Sequence, residues 1–467
     1  MTAHEVIHSP HLSPKQVRQV GNHLQRRRKQ MGLSIENLAQ TGEISAATLS
    51  NIDNGKSCVT VEKIELYCHL LDTTLVEALK EIEDKEKYFP RMMQKLRHIE
   101  RLIHLQSPEH AYEQLSTLSF ESHQPLAVAR LYVQAKCDFF LGNQGNAQKG
   151  FQVCLQQIER HPELFNTNLI PLCYLHLGRH AYFKEKNLTK AVDYVERGLA
   201  KYIPSGERQG IHYILEISHV IYLEKLGLDN RAIQIVQQLQ EEIGNIHHVE
   251  TKLQVFALHI LLLYKKKAYE EGRILALEAM EIARASNCPE QLLEIYTLLG
   301  AICKELKDFV YAEDYYQFAL DLEAQIKSRH LLATSYMRLG ELYTEIGRWD
   351  LSQSMLIKAE HISRETDEPF RHMEALILLG DYYLRQQKWS EAIPYYERVW
   401  EYEEKLYPEQ QLPKIRIKLA FCYRSIGELA KYYAIIDKIF ENGLELELNE
   451  FKGGTMMFNF HGDPPSD

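Results

Sequence analysis

Three glycines, Gly300, Gly340 and Gly380, stand 40 residues apart in this chain of 467 residues, inside segments that read alike. The segments are "LLGAICKELKDFVYAEDYYQFAL", "RLGELYTEIGRWDLSQSMLIKAE" and "LLGDYYLRQQKWSEAIPYYERVW". A fixed internal period constrains the fold more than any other signal, because it makes the chain a stack of one small unit whose core runs between neighbours. The register extends forward to Ala420 and back to Ile260 and Val220. Twelve residues on come Ala232, Gly272, Ala312, Ser352 and Ala392, small in every copy until Tyr432. Val236, Ala276, Tyr316, Leu356, Tyr396 and Ile436 follow after another turn of helix, then Leu239, Ala279, Ala319, Ala359, Val399 and Ile439. The spacing predicts paired helices: Gly or Ala in the first lets the second cross closely, and Phe309, Trp349 and Trp389 lock the turn. Less regular copies centre on Ala147 with Phe151 and on Ala191 with Val195. An all-α fold is expected.

The pattern L-G-x-x-Y followed by A-x-x-x-F-x-x-A resembles the tetratricopeptide repeat, whose usual unit is about 34 residues. The longer period here is expected to add roughly one helical turn and some loop. HEAT and armadillo repeats share that period but lack the L-G…A spacing. The resemblance implies about eight helix pairs over residues 127–442, stacked as a right-handed superhelix whose first helices line a concave groove. On the groove side it places Gln254, Tyr264, Lys265, Glu294, Thr297, Lys304, Thr334, Glu341, Thr344, Asp381 and Arg385. Most of these alternate in sign, which suits a short peptide held along its backbone and at its termini.

Ahead of the repeats the helices are short. "VGNHLQRRRKQMG" ends at Gly32, "LSIENLAQTG" opens with Ser34, and "ISAATLSNIDNG" opens with Ser45 and stops at Gly55. Thr60 and Thr73 or Thr74 start two more. Leu24, Leu33, Leu38, Ala39, Ile44, Leu49, Ile52, Ile64, Tyr67 and Leu71 then give one core from five short helices over residues 20–80. R-x-x-x-G-L-S from Arg28 to Ser34, Leu38-Ala39, Ile44-Ser45 and L-S-x-I-D-N-G-K at 49–56 resemble, in that order, the helix-turn-helix domain of phage-repressor and Xre-like regulators. That family usually carries Glu in place of Asp53 and Gln in place of Ile35, and the second change removes a common DNA contact.

The resemblance implies that the helix 46–52 enters a major groove, which is wide enough for an α-helix. Ser45 and nearby amides would hold a phosphate. Ala46, Ala47, Ser50 and Asn51 would meet base edges, with Thr48 beside them, and Asn51 suits an adenine edge. Asn54, Gly55 and Lys56 would form the turn on the DNA strand, and Arg27 and Arg28 complete the DNA-facing set. The basic run Arg26 to Lys29 concentrates the cations of this region. Residues 1–80 carry nine Lys and Arg against eight Asp and Glu, whereas the remainder carries 45 against 56. A localised cationic face on an anionic molecule fits an anion partner.

Hydrophobic content of 45% and charged content of 25% belong to a soluble globular chain. No apolar run approaches the roughly 18 residues of a membrane span, and the first residues lack the basic and apolar blocks of a secretory signal. Cys58, Cys68, Cys137, Cys154, Cys173, Cys288, Cys303 and Cys422 are scattered, as expected of buried, reduced thiols in a cytoplasmic protein. His176 and His180 share a helix face but have no third ligand in view, and no phosphate loop or nucleophile motif occurs. No enzyme activity, metal or cofactor is expected.

A helix-turn-helix domain before a tetratricopeptide solenoid resembles the intracellular peptide-pheromone receptors of Gram-positive bacteria, the Rap, NprR, PlcR and PrgX group. By implication the partners are double-stranded DNA, a short signalling peptide in the groove and a second copy of the chain. Some members instead hold a response regulator, which gives the alternative of a protein-interaction regulator. A flexible tail over 1–19, linker helices over 81–126 broken by Pro90, Pro108 and Pro125, and a C-terminal tail over 443–467 complete the expected organisation. Gly453-Gly454 breaks the helical period in that tail, which is expected to be disordered, with a fold-back of its short apolar "MMFNF" into the groove as the alternative.

Overall fold

The computed structural model describes residues 12–441 apart from 41, 57, 121–122, 367–368 and 407–412. The described residues form α-helices and short 3-10 turns, with no strand among them. They part into two compact units between residues 157 and 158.

The first unit holds α1 (Pro14–Gln30), α2 (Ile35–Ala39), α3 (Ala46–Asp53), α4 (Val61–Leu70), α5 (Leu75–Leu105), α6 (Pro108–Ser116), α7 (Gln124–Phe140) and nearly all of α8 (Gln144–Ile158). Its front is one core of Val20, Leu24, Leu38, Ile44, Leu49, Ile52, Ile64, Tyr67 and Leu71, with Leu33 and Ala39 half-buried against it. Each such aliphatic burial contributes about 1.5–3 kcal/mol. The expected tail to residue 19 is corrected, because α1 already begins at Pro14. The Ser13 hydroxyl accepts the Gln16 amide at 3.3 Å, and Gln16 Oε1 accepts the Ser13 amide at 2.9 Å. This reciprocal cap satisfies two end donors, and Pro14 needs no partner for an N–H it lacks.

The fifth helix is likewise not short. α5 runs 31 residues straight through Pro90 and packs on α1, α4, α6 and α7. The linker expected to break at Pro90 is therefore one helix shared between the front core and the first helix pair. Pro90 removes one backbone donor, and the burial of Met92, Met93, Leu96, Ile99 and Leu102 beyond it holds the axis together. Pro108 and Pro125 do stand in helix first turns, at the starts of α6 and α7.

The second unit continues the helix pairs: α9 (Leu169–Phe183) with α10 (Leu188–Ala200), α11 (Ile211–Lys225) with α12 (Asp229–Glu241), and α13 (Val249–Lys265) with α14 (Tyr269–Ala285). Then come α15 (Pro289–Glu305) with α16 (Phe309–Asp321), α17 (Arg329–Glu345) with α18 (Trp349–Glu365), α19 (Pro369–Arg385) with α20 (Trp389–Leu406), and α21 (Pro413–Ser425) with α22 (Leu429–Glu441). The period explains itself in contacts. A Cβ on Gly300 would lie 2.5 Å from the ring of Tyr316, one on Gly340 2.7 Å from Leu356, and one on Gly380 2.6 Å from Tyr396. Each glycine thus exists to seat the large residue sixteen positions on, and all three partners are fully buried. The added length of the unit goes into first helices of 17 residues. Along α11, α13, α15, α17 and α19 each first helix packs on the next.

Candidate nucleic-acid interface and repeat groove

α3 is held by its cap and its two anchors. Ser45 Oγ accepts the Thr48 amide at 3.2 Å, and Leu49 and Ile52 are fully buried. That leaves Ser45, Ala46 and Ala47 exposed, with Thr48, Ser50 and Asn51 half-buried on the same outer side. Asn54 and Lys56 are exposed in the following turn, where the Asn54 side-chain Nδ2 donates to the Ser50 carbonyl at 2.7 Å. Two close approaches fix this turn. A Cβ on Gly21 would lie 1.9 Å from the Ile52 carbonyl oxygen, and one on Gly55, whose φ is +63°, would lie 2.6 Å from the Arg18 Cα. The α1 backbone therefore runs directly against the end of α3. This brings the exposed Arg18, which the motif did not single out, against the turn that carries Lys56.

Two residues assigned to DNA from the basic run are spent elsewhere. Arg28 is buried: its Nη2 meets Asp53 at 2.8 Å, its Nε donates to the Tyr67 hydroxyl at 3.1 Å, and its Nη1 donates to the Leu33 carbonyl at 2.7 Å. Tyr67 in turn donates to Asp53 at 2.9 Å. Burial, then Asp53, pushes the Tyr67 phenol up, so it stays protonated as a donor. Arg27 donates to the carbonyls of Leu71 and Asp72, both at 2.9 Å, tying α1 to the α4–α5 turn. Arg26 and Lys29 remain exposed. Sequence carried a signal for this division, since Arg28 lies one turn beyond Leu24 on the face of Val17, Val20 and Gly21.

In the second unit the residues expected to face a groove are mostly bridges between successive first helices. Lys265 pairs with Glu224 at 3.0 Å and Asp229 at 2.9 Å, and Lys304 pairs with Glu341 at 3.1 Å. Arg338, fully buried, reaches Glu341 at 3.3 Å and also pairs with Glu374. Burial opposes ionisation of Glu341, but Lys304 and Arg338 overcome it and hold its carboxyl down at about 2. Thr297 shares a hydrogen bond with Ser335 at 2.7 Å, Thr334 accepts from Arg371 at 3.3 Å, and Tyr264 donates to Glu305 at 3.4 Å. Asp381 accepts from Lys418 at 2.7 Å and from Tyr396 at 2.5 Å. Thr344 is buried and bonds Ser352 at 2.6 Å, and Glu294 is buried on α15. Gln254 is half-buried and Arg385 is exposed.

Sequence reasoning missed Glu224, Arg338, Arg371 and Glu374, because charged residues on a helix read as solvated by default. The inner layer curls tightly enough that Lys225 on α11 feels Arg371 and Glu374 on α19, while burial lowers its pKa. Lys186 lies 5.8 Å from the ring centre of Phe370. A ligand entering here meets charges already neutralised in pairs, so a polar backbone competes better than an added net charge.

Among the described residues no cluster of His, Cys, Asp and Glu could hold a metal ion, and His176 is fully buried in α9. Six cysteines are buried, Cys288 is half-buried and Cys58 is exposed. No described helix is long and apolar enough to cross a membrane. The segment 443–467, with its "MMFNF", lies outside the described residues.

Residues 24–77 match the helix-turn-helix family and residues 331–401 the tetratricopeptide repeat family. No curated protein matches the chain. Among solved structures it is similar to a Rap protein complexed with Competence and Sporulation Factor, at a TM-score of 0.50 and 15% identity, over 75% of this chain and 99% of that one. It is also similar to aspartyl phosphate phosphatase F from Bacillus subtilis, at a TM-score of 0.48 and 14% identity, over 76% of this chain and 94% of that one. Bacillus thuringiensis PlcR, in complex with the peptide PapR7 and DNA, aligns at a TM-score of 0.31 and 15% identity, over 66% of this chain and 97% of that one. At 15% identity the likeness to the Rap protein is one of fold.

Proposed function

We propose that this chain, a helix-turn-helix domain joined to tetratricopeptide repeats, is a transcription regulator whose repeats bind a short signalling peptide and so switch its hold on DNA. The observation that carries the reading is the outer side of α3. A capped helix presents Ser45, Ala46, Ala47, Ser50 and Asn51 outward, with Lys56 in the turn behind it. The bases are read by Asn51 and by methyl contacts from the two alanines. Lys56, with Arg18 beside its turn, neutralises phosphate. The peptide runs along the inner first helices past Gln254, Tyr264, Lys265, Glu294, Thr297, Lys304, Thr334, Glu341, Asp381 and Arg385, taking over hydrogen bonds that now link neighbouring helices. A chain that binds as a homodimer must match two half-sites, so a small change in how the repeats pack is enough to alter affinity. The Rap protein of like fold, solved with Competence and Sporulation Factor, supports a peptide as the ligand class.

The test is fluorescence anisotropy of the full chain on duplexes selected from random sequence, with a synthetic oligopeptide library added in pools. Selective retention of one duplex family, and a pool that shifts its affinity, is the expected result. A second reading is favoured by the burial of Arg28 and the tethering of Arg27, which thin the cationic face: the repeats then hold a response-regulator protein and DNA binding is lost. Failure to retain any duplex, together with capture of a receiver domain, selects that reading.

A further inference from the structure

The outward line of the second helices changes character on three neighbouring pairs. On each second helix, four residues spaced by the helical turn around the small crossing residue share its outer side. On α12 these are Asn230, Gln234, Gln237 and Glu241, polar throughout and all exposed. On α14, α16 and α18 the same line carries Ile274, Val310 and Ile357, which are 68%, 71% and 50% exposed. Tyr311 and Leu351, both exposed, flank it at one shared place in the repeat. On α20 the line is Ser390, Pro394, Glu397 and Glu401, so the apolar run ends there. Contacts within the repeat show that these places adjoin. Glu313 of α16 pairs with Arg348, just before α18, at 2.8 Å. One pair earlier, Arg273 and Asp308 hold the same two places, which sets Ile274 beside the first turn of α16, where Val310 and Tyr311 stand. Single exposed apolar residues are ordinary, whereas a patch across adjoining helices marks an interaction surface.

The charge around the patch decides what fits it. α14, α16 and α18 carry ten Asp and Glu against four Lys and Arg, whereas the first helices α13, α15 and α17 carry six against five. The four cations are taken up within the chain. Arg273 pairs with Glu270 at 2.8 Å and Arg364 with Glu360 at 3.3 Å. Arg284 donates to the Tyr296 hydroxyl at 2.7 Å, and Lys358 stands 5.3 Å from the centre of the Tyr336 ring. Glu271, Glu278, Asp314, Asp321 and Asp350 are exposed and make no ion pair among the described residues. We propose that this face docks a basic amphipathic helix of a partner protein. Its apolar stripe lies on Ile274, Val310 and Tyr311, and its Lys or Arg residues meet the flanking carboxylates. Like charge rejects the other occupants: the same face of a second copy is equally acidic, and nucleic acid and anionic lipid surfaces are repelled. Packed helices lie about 10 Å apart, so three second helices span about 20 Å, which a partner helix of roughly 14 residues crosses. The face belongs to the second helices and is separate from the inner layer of first helices, so the inference does not depend on peptide or DNA binding.

The probe is a fluorescent synthetic helix of about 18 residues, Leu along one face and Lys elsewhere, titrated with the full chain and read by anisotropy. Saturable binding that weakens with added salt is expected. Ile274→Ser with Val310→Ser, and separately Glu278→Lys with Asp314→Lys, are each expected to weaken it at least about tenfold. All four positions are exposed, so both variants keep the fold, which circular dichroism checks. A peptide of the same composition in scrambled order is expected to bind at least about tenfold more weakly. No saturable binding, equal binding of the scrambled peptide, or an affinity unchanged in either variant overturns the proposal. Self-association of the parent that Ile274→Ser with Val310→Ser abolishes gives the face to a second copy and also overturns it.

Discussion

Arg28 gives its guanidinium to Asp53, Tyr67 and the Leu33 carbonyl, all within the fold. Removing one member of such a buried pair strands the other, which costs about 3–5 kcal/mol. Asp53→Ala is therefore expected to lower the unfolding free energy of the first unit, read from urea titration, by that order, although Asp53 touches no ligand in the proposed reading. A second residue-scale prediction concerns pH. Burial, aided by Glu242, raises the Glu216 carboxyl to about 7 from an ordinary 4.5. The folded state then holds this proton more tightly than the unfolded one. The stabilisation is complete below the ordinary value and is lost as pH rises through about 7. Glu216→Gln should melt above the parent at about pH 8 and match it at about pH 5, in paired thermal scans. At this scale the sequence was informative about exposure around Ser45 and Asn51, because a motif fixes their helix phase. It was misleading about Arg27 and Arg28, where four consecutive cations hide which way each points.

Between elements, close backbone approach decides the geometry. Gly21 lets α1 lie on the end of α3, where a Cβ would come 1.9 Å from the Ile52 carbonyl. Gly21→Ala should cost about 1–3 kcal/mol of stability. It should also weaken DNA binding by tilting α3, both measured on the purified full chain. Pro90 sits exposed inside α5. Pro90→Ala restores a helical donor and is expected to stabilise the first unit by up to about 3 kcal/mol; an unchanged urea midpoint would show that α5 bears no strain there. The helix pairs themselves were legible, since Gly300, Gly340 and Gly380 and their partners sixteen residues on mark three successive crossings and set the register of the rest. The continuity of α5 was not, because a lone proline predicts a break and only packing on α6 and α7 overrides it. The start of α1 was legible in principle, in Ser13 and Gln16.

Across the whole molecule, the stack and the front module follow from two patterns, a period and an ordered motif. The pairing of Lys304 with Glu341, and of Arg338 with Glu374, does not follow from either, because it depends on how successive first helices lean together. Lys225 near Arg371 and Glu374 depends on curvature summed over several pairs. The asymmetry of charge on which the proposed DNA side rests gives the most direct measurement of the central claim. Full-length chain, Asn51→Ala and Lys56→Ala should each be titrated with selected duplex across a range of salt. The parent is expected to bind with affinity falling linearly on logarithmic axes. Lys56→Ala should reduce that slope by about one, and Asn51→Ala should relax preference at a single position with the slope unchanged. A parent that ignores duplex at low ionic strength, or binds no better than both variants together, would contradict the assignment of α3 as a reader of DNA.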